Sequence, residues 1–554
     1  MKISDVQKEL KKLENDIASI KEEKASGVIA SLSNLLEFVV EMNLTQASEI
    51  QKLKDEINRL KKEQGKPTIS PNNNKGKGGN HSSENDRKDR EPKKTRQPKA
   101  KKAGVVKIDK EVICDIDPKD LPDDAKPRGC VYRVVQDIKI ITDNVKFTLK
   151  TYYSPSLKKT FIAPLPDGYK GEFGPSLKAL VITLYRDSGM TQSKIHEFLN
   201  THGTMISAST ISLMLTENHQ SFHEEKEEIV KAGLVATPYQ HIDDTGCKVN
   251  GINQYTHILC SPYFTAFFTR QRKDRLTLLD ILCSGNLRFR INSHTYELAS
   301  SLGLSDKRVT DLKGIKSSND MTIDEMDAFL LPLFPNPEKS PKIQKIIKEA
   351  AALTYYASYD LSVQFLVSDD APQFNKLGEH KVLCWIHAGR HLKKLNPTFL
   401  KHRKLLDDFL GKFWDYYALL LIYKEAPTPE RAKELIEHFD SLFSTKTTYQ
   451  DLDARIALIS AKKESLILVL QYPFLPLHNN SAELGARVQA RMRDINLHTI
   501  SENGTACKDT FSTIIQTAKK LGVNTYRYIF DKISGENRME SLANLITQKA
   551  SPPT

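Results

Sequence analysis

No stretch of this chain approaches the roughly 18 apolar residues that cross a membrane as a helix, so a membrane-spanning protein is not expected. The amino terminus, MKISDVQKELKKLE, carries charge where a secretory signal would carry an apolar core. Cysteine is sparse: seven in 554 residues, at Cys114, Cys130, Cys247, Cys260, Cys283, Cys384 and Cys507, with no C-x-x-C among them. An odd, scattered set argues against a disulfide framework and fits reduced thiols inside a cell. It also leaves no complete four-ligand zinc pattern. What is present is 39% hydrophobic and 27% charged, as in a soluble globular protein with polar appendages. The net charge of +12 and pI of about 9.0 make a polyanion a plausible partner.

The composition changes along the chain. Residues 1–62 read as a coiled-coil helix: Ile3, Val6, Leu10, Leu13, Ile17 and Ile20 alternate steps of three and four. The phase blurs through GVIASLSNLLEFVVEMNL and returns at Ile50, Leu53, Ile57 and Leu60. Self-association is the expectation; packing on the rest of the chain is the alternative. Residues 63–103 are rich in Gly, Asn, Pro and charge and cannot bury a core. This disordered linker is basic in its second half, Lys93 to Lys102, as a solvated tether or a non-specific DNA-binding arm would be. Residues 104–172 read as a small β-rich region of short strands and turns. Residues 173–236 read as helices, with Thr191 and Ser207 as caps and a turn at Gly203. That pattern fits a helix-turn-helix or a plain helical hairpin.

From Tyr239 the pattern becomes α/β. YQHIDD and YTHILCSPYFTAFFTR read as strands, the latter a hairpin, and LSVQFLVSDD as a buried central strand. This α/β core is expected over 237–393 and 471–500. It carries a partly helical insertion at about 285–355, a helical insertion at 394–470, and a helical region at 501–554.

Two strands end in paired acids, Asp243–Asp244 and Asp369–Asp370. Buried strand-end acids need a cation or a solvent edge, and open α/β sheets collect ligands at strand ends. A third acid stands in PLHNNSAELGARVQARMRD, where Asn479 or Asn480 suits the cap of a helix bearing Glu483, Arg487 and Arg491 on one face. Three such acids would suit two hard Mg²⁺ or Mn²⁺ ions acting on a phosphodiester. An ordinary surface helix with i,i+4 ion pairs accounts for the last stretch equally simply. In LCWIHAGRHLKKL, Cys384 and His387 have half of a zinc spacing, with no second half in the sequence.

Four blocks in this order, HIDDTGCKVNG, FLVSDDAPQFN, LCWIHAGRHLKKL and PLHNNSAELGARVQARMR, resemble the DDE transposases of the insertion sequence 66 family. The likeness covers roughly residues 165–535. It implies an RNase H-like catalytic core and Asp243, Asp369 and Glu483 as the metal-binding catalytic triad, with Asp244 and Asp370 as fallback ligands. It implies that Cys384 and His387 pack and hydrogen-bond behind the site rather than ligate. Arg390, Arg487, Arg491 and Arg493 are then candidate DNA contacts. The family's small zinc module has no counterpart in the lone Cys114 and Cys130, so zinc is not expected there. The Asp243–Asp369 spacing is longer than the family pattern. The implied function is a DNA transposase in the bacterial cytoplasm, nucleoid-associated when bound to DNA. It would act as a homo-oligomer on element ends and target, with accessory proteins of the same element as further partners. A structure-selective nuclease on the same fold and a non-catalytic DNA-binding derivative are the alternatives.

Overall fold

The computed structural model describes residues 23–60, 107–315 and 320–551, apart from positions 121, 123, 124, 127, 128 and 170. The first heptad run and the basic tether lie outside the described residues. Helix α1 spans Glu23–Leu60 without a break, straight through the stretch where the heptad phase blurs in sequence. Among its described side chains, Ile29, Ser33, Asn34, Glu37 and Val40 are the less exposed, on one side, and the opposite side is open.

Of the β-rich region expected at 104–172, one hairpin is present, β1 (Thr151–Ser154) with β2 (Lys159–Ile162). Residues 129–150 form no strand, and Val131, Tyr132 and Ile141 there are more than 80% exposed. Alternating β-branched residues form strands only against a partner edge and a buried face; this segment is largely exposed, its contacts at the far end being the Phe147 ring on Tyr169 (5.0 Å) and Lys150 O accepting the Ala163 N–H (3.0 Å). Cys114 and Cys130 are both free and exposed.

The helices after it follow their caps. α2 (Pro175–Arg186) begins on a proline. Thr191 accepts from the Lys194 N–H to open α3 (Gln192–Thr201), and Ser207 accepts from Thr210 to open α4 (Ala208–Thr216). Helix α5 is Gln220–Ala236.

A five-stranded mixed sheet occupies the centre. β3 (Tyr239–Val249) is its middle strand. It pairs antiparallel with β4 (Ile252–Cys260), which pairs antiparallel with β5 (Thr265–Arg270). On its other side β3 pairs parallel with β6 (Phe365–Ser368), and β6 with β7 (His380–Leu383). Between β5 and β6 run α6 (Arg275–Leu282), α7 (Ser293–Ser301), α8 (Asp306–Lys313), α9 (Ile323–Leu330) and α10 (Pro341–Tyr356). After β7 come α11 (Trp385–Lys393), α12 (Leu400–Glu425), α13 (Pro429–Phe443), α14 (Gln450–Ser460) and the short α15 (Lys463–Leu466). Then follow α16 (Asn480–Asn496), α17 (Glu502–Leu521), α18 (Thr525–Ser534) and α19 (Leu542–Ala550). No described helix is long and apolar enough to cross a membrane.

One apolar cluster joins α2–α5, one sheet face, the helices before β6 and the carboxy-terminal helices, through Ile182, Ile229, Ile242, Ile347, Phe511 and Ile529. A second, around Trp385, Phe413, Tyr416 and Phe439, belongs to α11–α15. The edge strand β5 is closed by a helix. Asp509, Thr513 and Thr517, one helical turn apart on α17, accept the N–H groups of Thr269, Phe267 and Thr265 at 2.5, 3.1 and 3.2 Å. Four helical residues rise about 6 Å and two strand residues about 6.8 Å, so the two ladders match and the edge offers no free donors there.

Candidate active site

β3 and β6 run in parallel register, with His241 opposite Val367. Two residues further that register sets Asp369 level with Asp243, where β6 has ended and β3 continues. Alternation along β3 sends the two acids of its pair to opposite faces. Asp244 accepts from Gln373 Nε2 (2.9 Å) and meets the Lys273 ammonium (3.7 Å). Asp370 pairs with Lys462 and Lys381. Asp243 and Asp369 face inward and make no ion pair among the described residues; Asp369 Oδ1 accepts the Ala371 N–H at 2.9 Å.

Glu483 stands in the first turn of α16, the helix laid on the same sheet. Gly485 lets that helix lie directly on the sheet: a Cβ there would stand 2.7 Å from Ile258 Cγ2 of β4. Ala482 and Ala486 fill the rest of the contact with Ile258, Cys260 and Phe267. Asp243 feels all of this. Burial pushes its carboxyl up to about 7. The charges of Asp369, Asp244 and Glu483 add to that, and the Asp244 N–H on Oδ1 (2.8 Å) partly offsets it. The charges of Asp369 and Glu483 thus reach Asp243, which has no counter-charge among the described residues, but the ligand atoms of the three acids do not gather within 4.8 Å, the spacing at which Glu483 meets Cys384 and His387.

The two asparagines are not caps. Asn479 holds the N-cap position but makes no side-chain cap bond. It is 1% exposed; its Nδ2 donates to Ile242 O (2.7 Å), its Oδ1 pairs with His241 Nδ1 (3.0 Å), and its N–H points at Cys384 Sγ (3.3 Å). A buried amide satisfied on both ends ties the helix of Glu483 to the strand of Asp243, and capping gives way to that link. Asn480 is also buried, with its N–H on His478 Nδ1 (3.4 Å).

Nor does Glu483 pair with Arg487. Its partner is Arg390 on α11, through two bonds of 3.3 and 3.1 Å, and His387 Nδ1 lies 3.6 Å away. Arg487 and Arg491 are exposed on α16 and make no ion pair among the described residues. Arg493 donates to Gly246 O of β3. Of the four arginines, two are thus open to solvent contacts and two hold the protein together.

CWIH has a division of labour. Trp385 is fully buried in the insertion core, with Nε1 on Leu466 O (2.8 Å) and its own N–H on Leu477 O (3.0 Å). That plug places Cys384 at the N-cap of α11 and His387 one turn on, both beside Glu483. Gly389 lets α11 approach α12; a Cβ would stand 2.5 Å from the Trp414 ring. A pocket of about 180 Å³ is lined by Asp370, Cys384, His387, His391, Arg455 and Lys462 among others.

No family model matches the chain. A curated relative, the uncharacterized protein y4jO of Sinorhizobium fredii (strain NBRC 101917 / NGR234), is 29% identical over 331 residues, 58% of this chain and all of that protein. The likeness is one of sequence; the printed name of y4jO assigns it no activity.

The sequence singled out each of the three acids. It did not show His241 or the role of Asn479, because hydrogen bonds between distant elements leave no periodic trace. The glycine of AELGA was the one local signal of close packing.

Proposed function

We propose that this protein is a DNA transposase of the insertion sequence 66 type, cutting phosphodiesters at element ends and joining the freed 3′ ends to target DNA. The observation that supports the reading is Asp243 and Asp369 level on neighbouring parallel strands, with Glu483 on the helix packed over β4 near enough for its charge to act on the unpaired Asp243. The mixed sheet, with its acids on the central strand and its parallel neighbour, supports an RNase H-like core.

The donor set is all oxygen and suits hard divalent ions. Asp243, Asp369 and Glu483 would hold Mg²⁺ or Mn²⁺, which supplies charge stabilisation of the phosphodiester and a more acidic nucleophilic oxygen. The chain's own residues do the rest. Asn479 fixes the strand of Asp243 against the helix of Glu483. Arg390 balances the charge of Glu483. Arg487 and Arg491 lie further along the same helix and would grip DNA phosphates leading away from the cut. α2–α5 and the basic tether would bind the ends, and α1 would hold copies together.

The test is purified full-length protein with labelled DNA carrying the element's ends and a target duplex, in Mg²⁺, scored for nicking and for joining. Both products are expected. Nicking without joining would favour a structure-selective nuclease, and binding without either product a non-catalytic derivative.

A further inference from the structure

Cys384 Sγ, a ring nitrogen of His387 and a carboxylate oxygen of Glu483 all lie within 4.8 Å of one another. We propose that these three form a site for a borderline-soft divalent ion of the zinc class, distinct in chemistry from the oxygen site it adjoins. The site itself rests on geometry alone; its competition with the hard-metal site for Glu483 rests on the proposed function.

Several observations point the same way. Cys384 sits at the start of α11, and the backbone N–H groups of Ile386, His387 and Asn479 are directed at its sulfur. Burial pushes the Cys384 thiol up to about 11, and these N–H donors partly offset that. His387 Nδ1 is buried and makes no hydrogen bond, although Glu483 Oε1 is only 3.6 Å away. The pocket lined by Cys384 and His387 gives an ion a way in. Thiolate, imidazole and carboxylate are the ligand types zinc takes, and three protein ligands leave a fourth position for water. The sequence offered only C-x-x-H; the fold brings the third ligand from a helix that begins almost a hundred residues later.

Arg390 stands on the site. It holds both Glu483 oxygens and donates to His387 Nε2 at 3.2 Å, which leaves the imidazole proton on Nδ1. A dication supplies the same positive charge. Arg390, 45% exposed, then turns to solvent, the imidazole proton moves to Nε2, Nδ1 binds the ion, and the thiol proton leaves to water. Because Glu483 belongs to both sites, the zinc-class ion takes a ligand from the hard-metal site.

The experiment is a Co²⁺ titration of the full chain without DNA, read by absorbance. A thiolate-to-cobalt charge-transfer band with tetrahedral visible bands is expected, and Zn²⁺ should bleach both. Cys384→Ser should remove the charge-transfer band. His387→Gln and Glu483→Gln should each weaken binding by roughly 100-fold or more, beyond the 10–100-fold typical of outer-shell losses. Circular dichroism checks that each variant folds. A band that survives Cys384→Ser, or one that vanishes only when Cys114 and Cys130 are replaced, overturns the site. So does unchanged affinity in Glu483→Gln, or the absence of any charge-transfer band in the unaltered chain.

Discussion

Replacing Glu483 by Gln keeps the side-chain volume and removes one charge. The lost pair with half-exposed Arg390 is worth about 0–1 kcal/mol, so the fold should stand while cleavage and joining fall by roughly 100-fold or more. Arg487→Ala should instead weaken DNA binding alike at every sequence. Thermal melts, filter binding and the two-product assay separate these outcomes; full activity in Glu483→Gln would end the catalytic assignment. His219 offers a residue-scale test of the helical layer. It is buried, donates Nε2–H to Met214 O (2.9 Å), and packs edge-on to Phe511. Burial pushes its pKa down from 6.5 to about 4, the Met214 carbonyl opposing the shift and the charges of His223 and Arg186 adding to it. A folded value below the unfolded one means stability is complete above pH 6.5 and is lost as pH falls towards 4, by about 3 kcal/mol. His219→Gln keeps a donor and removes the titration, so its urea midpoint should fall less between pH 7 and 4. Equal pH dependence in the two proteins would show that His219 contributes nothing to it. At this scale the sequence pointed to the acids through the resemblance of four ordered blocks, since strand-end acids alone are common in turns. It misassigned Asn479 because a cap is a local inference and the Asn479 amide is used by another element.

α16 is positioned by what it lacks. Gly485→Ala would drive a methyl into Ile258, whose β-branched side chain has little freedom to yield. The helix must lift from β4, at a cost of about 1–3 kcal/mol, and Glu483 moves with it. Loss of cleavage larger than the loss of DNA affinity is the expected signature, measured on folded protein at low temperature. A variant as stable and active as the parent would show that the close contact positions nothing. Elements with strong local signals were readable. Thr191 and Ser207 cap where their types suggest, the SPYF turn joins β4 to β5, and the apolar run before Asp369 contains a fully buried strand. Of the short strands expected over 104–172, the described residues form one hairpin, because β-branched alternation carries no record of whether a neighbour exists to pair with.

At the scale of the whole molecule, α1 has two unlike sides. One side docks on its own chain. Glu37, 6% exposed, accepts the N–H groups of Thr398 and Phe399 at 2.7 and 2.9 Å and meets His402 Nδ1 at 2.9 Å. It thereby caps α12, which has no cap of its own. Asn34 bridges Thr448 O and the Gln450 N–H nearby. The opposite side carries Leu32, Leu35, Val39 and Met42, then Ile50 and Leu53, each more than 40% exposed. Leu32, Leu35, Val39 and Met42 step by three and four as a coiled-coil seam would, and Ile50 and Leu53 resume the row after a gap of eight; Leu36, Phe38 and Val40 crowd the same stretch in sequence. Six large apolar side chains in one exposed row call for cover; a second α1 supplies an identical seam. Light scattering should therefore show an oligomer for the full chain and a monomer for one beginning at Gly104. Leu35→Lys with Val39→Lys in the full chain should also give a monomer, while Glu37→Ala should loosen α1 from α12, seen as faster amide exchange over both helices. A full-length chain that scatters as a monomer at micromolar concentration would leave the seam without its second copy, and the DNA-joining reading without the paired ends that joining needs.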